Sequence, residues 1–534
     1  MKLDDKLHKA FLEEMHNLEQ FRMSYAVDHP SAPLDRDDPD VRRLVEALAF
    51  FAARTRSAAL NSVERTHRRL FQQFVPYLLS PVPALAMIQA RPTGQFAEPI
   101  MLAAGTEFAL SGEGSEAAIF RSLYDFRVLP LTLGRVEMVM LPAGGFRLLL
   151  PFEGSFPRSD EIGTLHILID HLSDFLASLT VHYQLRRCLR AASVVFGDKA
   201  DENSTGNRCV FSLGAVGEQP ERLFTHPLEL ERQFFHFPRL ELFLNIDIPQ
   251  PPRNWQKFTL CLDLDDTWPR NLRPSRDVFQ LFCVPVVNLQ TGYASPQIYD
   301  GTQERLALRH PEGRRHFSLH SLNGVYEVQE GQMTPLRPAT LGGGSGSFEL
   351  EETEEEGPSL LLHLPGAFEM PRTIAIDALW IQPWFSAHVE EKLTLQPYRR
   401  ATAGLRWNLL GGVIPHLESQ FGGEIDAFLQ LLVLRNKPVL DLDDIRVLLQ
   451  TLASPWAGIF QPVRDLLQGL VVDEVPAKAG DSLGVLKQIY RLQFAADDEN
   501  VRPLLELFAD HLARVLDIWV ADAAIEVRID EASS

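Results

Sequence analysis

The run DDPDVRRLVEALAFFAAR, Asp37 to Arg54, decides how this chain begins to fold, and VPYLLSPVPALAMIQ, Val75 to Gln89, shows where that first region stops. Asp38 can accept hydrogen bonds from the free amides of a first helical turn. Pro39 suits the first helical position, which has no use for an N–H. Val41, Leu44, Val45, Leu48, Phe51 and Ala52 recur at three- and four-residue spacing, and Ala49, Phe50 and Ala53 make a second apolar strip beside them. A helix apolar on two sides wants neighbours on both. The sequence leaves open which strip, Leu44–Leu48–Phe51 or Ala49–Phe50–Ala53, faces its own unit and which meets another chain.

Working outward, Leu3, Leu7, Phe11, Met15, Leu18, Phe21 and Tyr25 predict an earlier helix that stops before His29-Pro30. The helix from Pro39 is expected to reach about Leu60, and Leu70, Phe71, Phe74 and Leu78 mark a third before the Pro76 to Pro83 cluster ends helical order. The combined apolar area exceeds what a three-helix unit needs, so docking onto other chains is expected.

From Gln89 the texture changes to short β-type runs: AMIQARP, PIMLAAGTEFAL, AIFRSLYDFRVLPLTL, VEMVMLP and FRLLLPF. A helical interval near Ser173 to Leu179 is expected between strands TLHILI and SLTVHYQL. Further strands are KFTLCLDL, VFQLFCVPVVNL, HFSLHSL and GVYEVQ. The segment GGGSGSFELEETEEEGP, Gly342 to Pro358, reads as a surface loop or strand-connecting insertion. Strands LLLHLP and AIDALWIQPW follow. Beyond Tyr398 the pattern mixes helices at IDAFLQLLVL, DDIRVLLQTL and about Pro503 to Val520 with strands GLVVDEV and AIEVRI. In the last helix Leu504, Phe508, Leu512, Val515 and Trp519 share one face.

The expected fold is therefore α+β and multidomain, with an N-terminal helical region, central β-sandwich-like domains and a C-terminal mixed α/β domain. The boundaries are 1–90, 91–290, 291–397 with the acidic segment 342–358, and 398–534. A length of 534 residues requires several cores. A net charge of −20 opposes binding to nucleic acid or anionic membranes, because phosphates are repelled over most of the surface. The charged N-terminus and the lack of a long apolar run predict neither a signal peptide nor direct membrane insertion.

The motifs of bond chemistry are missing. Cys188, Cys209, Cys261 and Cys283 are widely spaced with no C-x-x-C pair, which fits a reduced, cytoplasmic chain. Asp263, Asp265 and Asp266, like Asp441, Asp443 and Asp444, lack the glycine and distal glutamate of a calcium loop and read as strand-end or helix-cap residues. His166 and His171 are five apart, wrong for a helical zinc pair. The GGGSGS run lacks the Gly-Lys-Ser/Thr ending of a phosphate loop and opens into glutamates, and no Gly-x-Ser-x-Gly elbow is present. No catalytic residue, metal or cofactor is expected.

The Asp-Pro start, the Arg-Leu-x-Glu-x-x-Ala-Phe body and the Pro-x-x-x-x-Pro-x-Pro exit together resemble the opening of the TssF (VasA/ImpG) family of bacterial type VI secretion systems. Three further segments resemble that family in order. They are AIFRSLYDFRVLPLTLGRVE, LELERQFFHFPRLELFLNI with Phe235, Phe237, Pro238 and Phe243, and FCVPVVNLQTGYASP with Cys283, Pro285, Val286, Asn288 and Leu289. Gln290 stands where the family usually has phenylalanine, and LRWNLLGGVIPHLESQFGG departs from the family's C-terminal pattern. Physics gives these residues structural work: Phe237-Pro238 as an aromatic anchor beside a fixed bend, Pro285 and Asn288 as the end of a buried strand.

The resemblance implies a structural baseplate wedge subunit, two such chains with one TssG-like chain, contacting TssK-like and TssE-like subunits around the VgrG spike hub under the sheath. It implies a cytoplasmic place, with recruitment to the inner-membrane complex through other subunits. Leu44, Leu48, Phe50 and Phe51 are the expected assembly residues, and Asp38, Pro39, Phe237, Pro238, Pro285 and Asn288 the structural ones. A wedge subunit of another contractile injection machine, and an acidic multidomain enzyme with an unrecognised site, are the alternatives.

Overall fold

A computed structural model of the chain describes residues 2–31, 38–112, 116–197, 199–217, 226–303, 305–313, 316–339, 344–353, 357–388, 393–398, 403–418, 425–453, 458–476, 486–495, 500–520 and 523–530. The chain divides into two compact units, one built chiefly on residues 1–76 and the other chiefly on residues 77–534.

The first unit contains α1 (Lys2–Asp28) and α2 (Pro39–Phe74). Asp38 caps α2 by accepting from the Asp40 amide at 2.9 Å, with Pro39 at the first position. The expected break near Leu60 is absent. Residues 61–69, NSVERTHRR, interrupt the apolar pattern but contain neither proline nor glycine, so the backbone continues as one 36-residue helix. Arg56 pairs with Glu14 at 3.0 Å and Glu13 at 3.5 Å. Were the helices parallel at that register, Asp28 would lie roughly 45 Å from Pro39. Residues 29–38 span under about 40 Å, so the pair is antiparallel.

The second unit begins with the short helix α3 (Pro76–Leu79). A six-stranded sheet follows the order 394–397, 107–111, 118–122, 283–287, 85–92, 405–414. A nine-stranded sheet follows the order 279–281, 163–169, 243–248, 207–213, 189–196, 255–264, 146–158, 131–133, with 137–140 also on 146–158. Between them lies one apolar core, with Ile88, Phe108, Phe120 and Val284 from the first sheet and Leu148, Leu150, Phe152, Ile167, Leu260 and Leu262 from the second. This is the expected sandwich.

The run VFQLFCVPVVNL, expected as one strand, serves both sheets: residues 279–281 pair with 163–169, and 283–287 with 85–92 and 118–122. Phe282, at φ 56°, is the crossing point. Residues 178–185, SLTVHYQL, expected as a strand, belong to helix α4 (Phe175–Cys188). Their β-branched alternation misleads. The Asp174 side chain accepts from the Ala177 amide at 2.8 Å, and Phe175, Ser178, Leu179, His182 and Leu185 are buried at helical spacing.

Helix α5 (Pro227–His236) follows, started by a capping box of His226 and Glu229. A second core joins a five-stranded sheet built on 318–329 and 372–381 to a four-stranded sheet built on 347–353 and 357–363. The runs HFSLHSL and GVYEVQ merge there into one strand, Ser318–Gln329, with register shifts near Leu319 and Leu322. The acidic segment is corrected too: Ser347–Thr353 is a strand antiparallel to Gly357–His363, and 342–343 and 354–356 lie outside the described residues. Two of its acids have side-chain partners. Glu351 meets Arg305 at 3.2 Å and Glu349 meets His363 at 3.2 Å.

The C-terminal part contains α6 (Ile425–Arg435), α7 (Leu442–Ala453), α8 (Gln461–Leu466) and α9 (Arg502–Trp519). A three-stranded sheet runs 467–476, 486–494, 523–530, the last pair parallel. The predicted face Leu504, Phe508, Leu512, Val515 and Trp519 is buried.

Candidate assembly surfaces

Of the two strips of α2, Leu44–Leu48–Phe51 is exposed and the other divides, its alanines buried and its Phe50 exposed. Ala49 and Ala53 are 0% exposed, whereas Leu44 is 61%, Leu48 50%, Phe50 42% and Phe51 63% exposed. Small side chains let a neighbouring helix approach closely, which is why the alanines form the inward seam. The larger side chains are left to solvent at a cost of on the order of 10 kcal/mol, taking roughly 400 Å² of apolar surface at about 25 cal/mol per Å². The largest apolar patch on an ordinary monomer covers roughly 300–600 Å² and is often functional, so this surface ranks with such patches. Leu12, Phe21, Met23 and Val27 of α1 are also exposed. Helix α2 is basic in an acidic chain: seven arginines stand against Asp40, Glu46 and Glu64, net +4, where the whole chain is −20.

The remaining sequence-predicted residues have local structural roles. Asp38 and Pro39 start α2. Phe237 and Pro238 are both buried, Phe237 ending α5 and Pro238 opening a short 3-10 turn, Pro238–Glu241. Pro285 is buried opposite Met87, and its carbonyl accepts from the Leu123 amide at 3.0 Å. Asn288 follows three residues later, 2% exposed. Its amide nitrogen donates to the Ile119 carbonyl at 2.9 Å and to Gln382 Oε1 at 3.1 Å, and its Oδ1 accepts from the Gln382 amide at 2.8 Å. Asn288 thus clamps the place where the chain leaves the first core to the place where it returns.

A polar cluster on α5 escaped the sequence reading. Arg232, 5% exposed, donates to the carbonyls of Tyr77, of Ser80 at 2.9 Å and of Leu452 at 2.8 Å. Glu231 Oε2 lies 2.6 Å from Nδ1 of the buried His511, whose ring stacks on Phe234. Burial pushes the Glu231 carboxyl up to about 7 and the His511 imidazole down to about 3. The signal was present: Leu228, Glu231, Arg232 and Phe235 fall at i, i+3, i+4 and i+7, which places two charges on the apolar face of a helix.

The acidic clusters have structural partners. Arg147 grips Asp263 at 2.6 and 3.0 Å and donates to the carbonyls of Asp201 at 3.2 Å and Ser204 at 2.8 Å. Asp265 meets Arg190, and Asp441 and Asp444 accept from each other's amides at the start of α7. His166 Nδ1 lies 2.7 Å from Asn245 Oδ1. Among the described residues no group of three or more His, Cys, Asp or Glu side chains is arranged to hold a metal ion. The four cysteines are free thiols and all are buried. No helix among the described residues is long and apolar enough to cross a membrane.

No curated protein matches this chain. Among solved structures, it is similar to a chain of the type VI secretion system TssK-TssF-TssG baseplate subcomplex determined by cryo-electron microscopy. That match covers 92% of this chain and 96% of that one, at 17% identity and a TM-score of 0.71. It is also similar to a chain of the baseplate complex from the type VI secretion system, over 98% of this chain and 96% of that one, at 15% identity and a TM-score of 0.57. At these identities the likeness establishes the fold. The family model described as type VI secretion system, TssF matches residues 3–347, well over half of the sequence. The chain belongs to the TssF family of type VI secretion system proteins.

Proposed function

We propose that this chain is a structural wedge subunit of the type VI secretion baseplate, acting by packing and not by bond chemistry. Membership of the TssF family and the fold shared with baseplate chains support this reading. The first of those structures is a subcomplex of TssK, TssF and TssG. Two copies of this chain with one TssG-like chain, contacting TssK-like and TssE-like subunits, the VgrG spike hub and the sheath, complete the proposal. Its cytoplasmic place, with recruitment to the membrane complex through other subunits, rests on the same family reading. The divisions 1–90, 91–290, 291–397 and 398–534 belong to it as well; the separate apolar cores support the boundary near 290, whereas strands 394–397 and 405–414 return to the first sheet across the boundary near 397.

The single observation that carries the assembly surface is the exposed strip Leu44, Leu48 and Phe51, with the exposed Phe50 on the adjoining face, on a basic helix. Its match is an apolar surface flanked by acidic side chains on the TssG-like partner, since Arg42, Arg43 and Arg54 border the strip and are exposed. The test is the double variant Leu48→Asp, Phe51→Asp, co-expressed with the TssG-like partner. The variant chain should fold with wild-type circular dichroism, because exposed positions shift stability by about 0.5 kcal/mol or less. It should lose co-purification, because burying two unpaired carboxylates is costly. Recovery of the complex at wild-type yield would sink the proposal.

A further inference from the structure

We infer that α5 is a coupling element. The same ten residues hold the segment that leaves the N-terminal helices and the helices of the C-terminal part, so that loosening either hold loosens the other.

The first hold lies at the start of α5. The Tyr77 ring stacks on His226, the helix cap, with ring centroids 3.7 Å apart and planes 9° from parallel. Arg232 adds its hydrogen bonds to the Tyr77 and Ser80 carbonyls. The second hold uses the other side of the same groups. The Nε of Arg232 donates to the Leu452 carbonyl at 2.8 Å, near the end of α7. Glu231 holds His511 of α9, Phe234 stacks on that imidazole, and Phe235 packs edge-on to Phe460 at 5.5 Å and Phe508 at 6.1 Å. Around His511 stand Asp510 and Arg514 from α9, Glu241 from the 3-10 turn and Arg186 from α4. Arg186 itself pairs with Asp510.

Why two holds on one helix must be linked follows from its length. A ten-residue helix is not stable by itself, since nucleation is unfavourable and helices below about 12–15 residues are marginal in water. The order of α5 therefore depends on what packs against it. Arg232 makes the dependence tight, because one planar guanidinium spans both sides and its orientation toward Leu452 fixes its orientation toward Tyr77 and Ser80. A buried cation with carbonyl partners is also the kind of group that specifies an arrangement instead of maximising stability. Within the wedge role, a load that displaces residues 77–83 would thereby be felt at the C-terminal part. That consequence rests on the proposed function, and the test below does not.

Amide hydrogen exchange of the full chain, read by mass spectrometry, decides the matter. His511→Leu removes the pair with Glu231 at similar volume and touches nothing at Tyr77. It should speed exchange in residues 77–83 at least about fivefold, the usual lower range of coupling between sites. Tyr77→Leu removes the stack on His226 and should speed exchange in α9 by a comparable factor, because linkage is reciprocal. Arg232→Met, which replaces the spanning group by an apolar chain, should erase the effect of His511→Leu on residues 77–83. Should Arg232→Met fail to fold, the two single variants still decide. Exchange changes confined to the substituted side in both single variants overturn the inference. So does a coupling that survives Arg232→Met intact.

Discussion

Replacing Asn288 by alanine should cost about 3–5 kcal/mol, and the structure shows where that figure comes from. Asn288 makes three side-chain hydrogen bonds, two from Nδ2 and one to Oδ1, all among buried groups. Each is worth about 1 kcal/mol net. Their loss also strands the Ile119 carbonyl and the Gln382 amide away from water, at about 1–3 kcal/mol per group, partly offset by relaxation. The aspartate variant sharpens the test. Its second oxygen would face the Ile119 carbonyl and Gln382 Oε1, acceptors against an acceptor, and would bring a buried charge, so Asn288→Asp should be worse than Asn288→Ala. Urea unfolding followed by tryptophan fluorescence measures both, with the core residues Trp255 and Trp268 as reporters. An alanine variant within about 1 kcal/mol of wild type, or an aspartate variant no worse than alanine, would refute the reasoning.

Three other substitutions test separate parts of the fold. Arg147→Met should cost about 3 kcal/mol and open the 201–204 turn to proteolysis, since it leaves Asp263 and the turn carbonyls without their cation. Leu172→Asn should stabilise by about 0.5–1 kcal/mol in thermal melts, because Leu172 sits at φ 56° with 80% of its surface exposed and asparagine tolerates that conformation. The third concerns acid stability. His182 and His236 are lowered to about 4, and His320 and His511 to about 3, chiefly by burial. The folded chain therefore refuses protons that the unfolded chain takes up below about 6.5, and stability falls as the pH drops. Glu231, raised to about 7, acts in the opposite sense between 4.5 and 7, because there the folded chain holds a proton that the unfolded chain has released. Glu231→Gln removes this offset. Its stability should fall more steeply than that of wild type between pH 4.5 and 6.5, by up to about 1 kcal/mol per pH unit, and equal slopes in urea titrations would contradict the assignment.

What the sequence disclosed depended on whether local pattern and tertiary setting agreed. The cap at Asp38, the buried face of α9 and the strands flanking Phe152 and Leu260 were legible because periodicity, caps and turns all pointed one way. Residues 61–69 were misread because helix continuity does not require an apolar stripe. Residues 178–185 were misread because Thr180, Val181 and Tyr183 favour strands, and only the cap at Asp174 and burial from several sides decide for helix. The crossing at Phe282 carried no local sign, since the same apolar run satisfies two sheets. The assembly strip was half legible. Both strips of α2 were visible, but the choice between them depended on which one α1 covers, a contact outside the helix itself. The Glu231-Arg232 pair was hidden by habit, because charges are read as surface residues unless their phase is checked.

The burial of the four thiols has a practical consequence for studying assembly. Desolvation raises Cys209 and Cys261 to about 11 and also raises Cys188 and Cys283, while the reactive form of cysteine is the thiolate. The native chain should therefore stay nearly silent toward maleimides at neutral pH. A single cysteine placed at an exposed position such as Ala47 or Ala52 would then be the one responsive thiol, so cross-linkers and fluorophores can chart the contacts of α2 against an unlabelled background with all four natural cysteines in place.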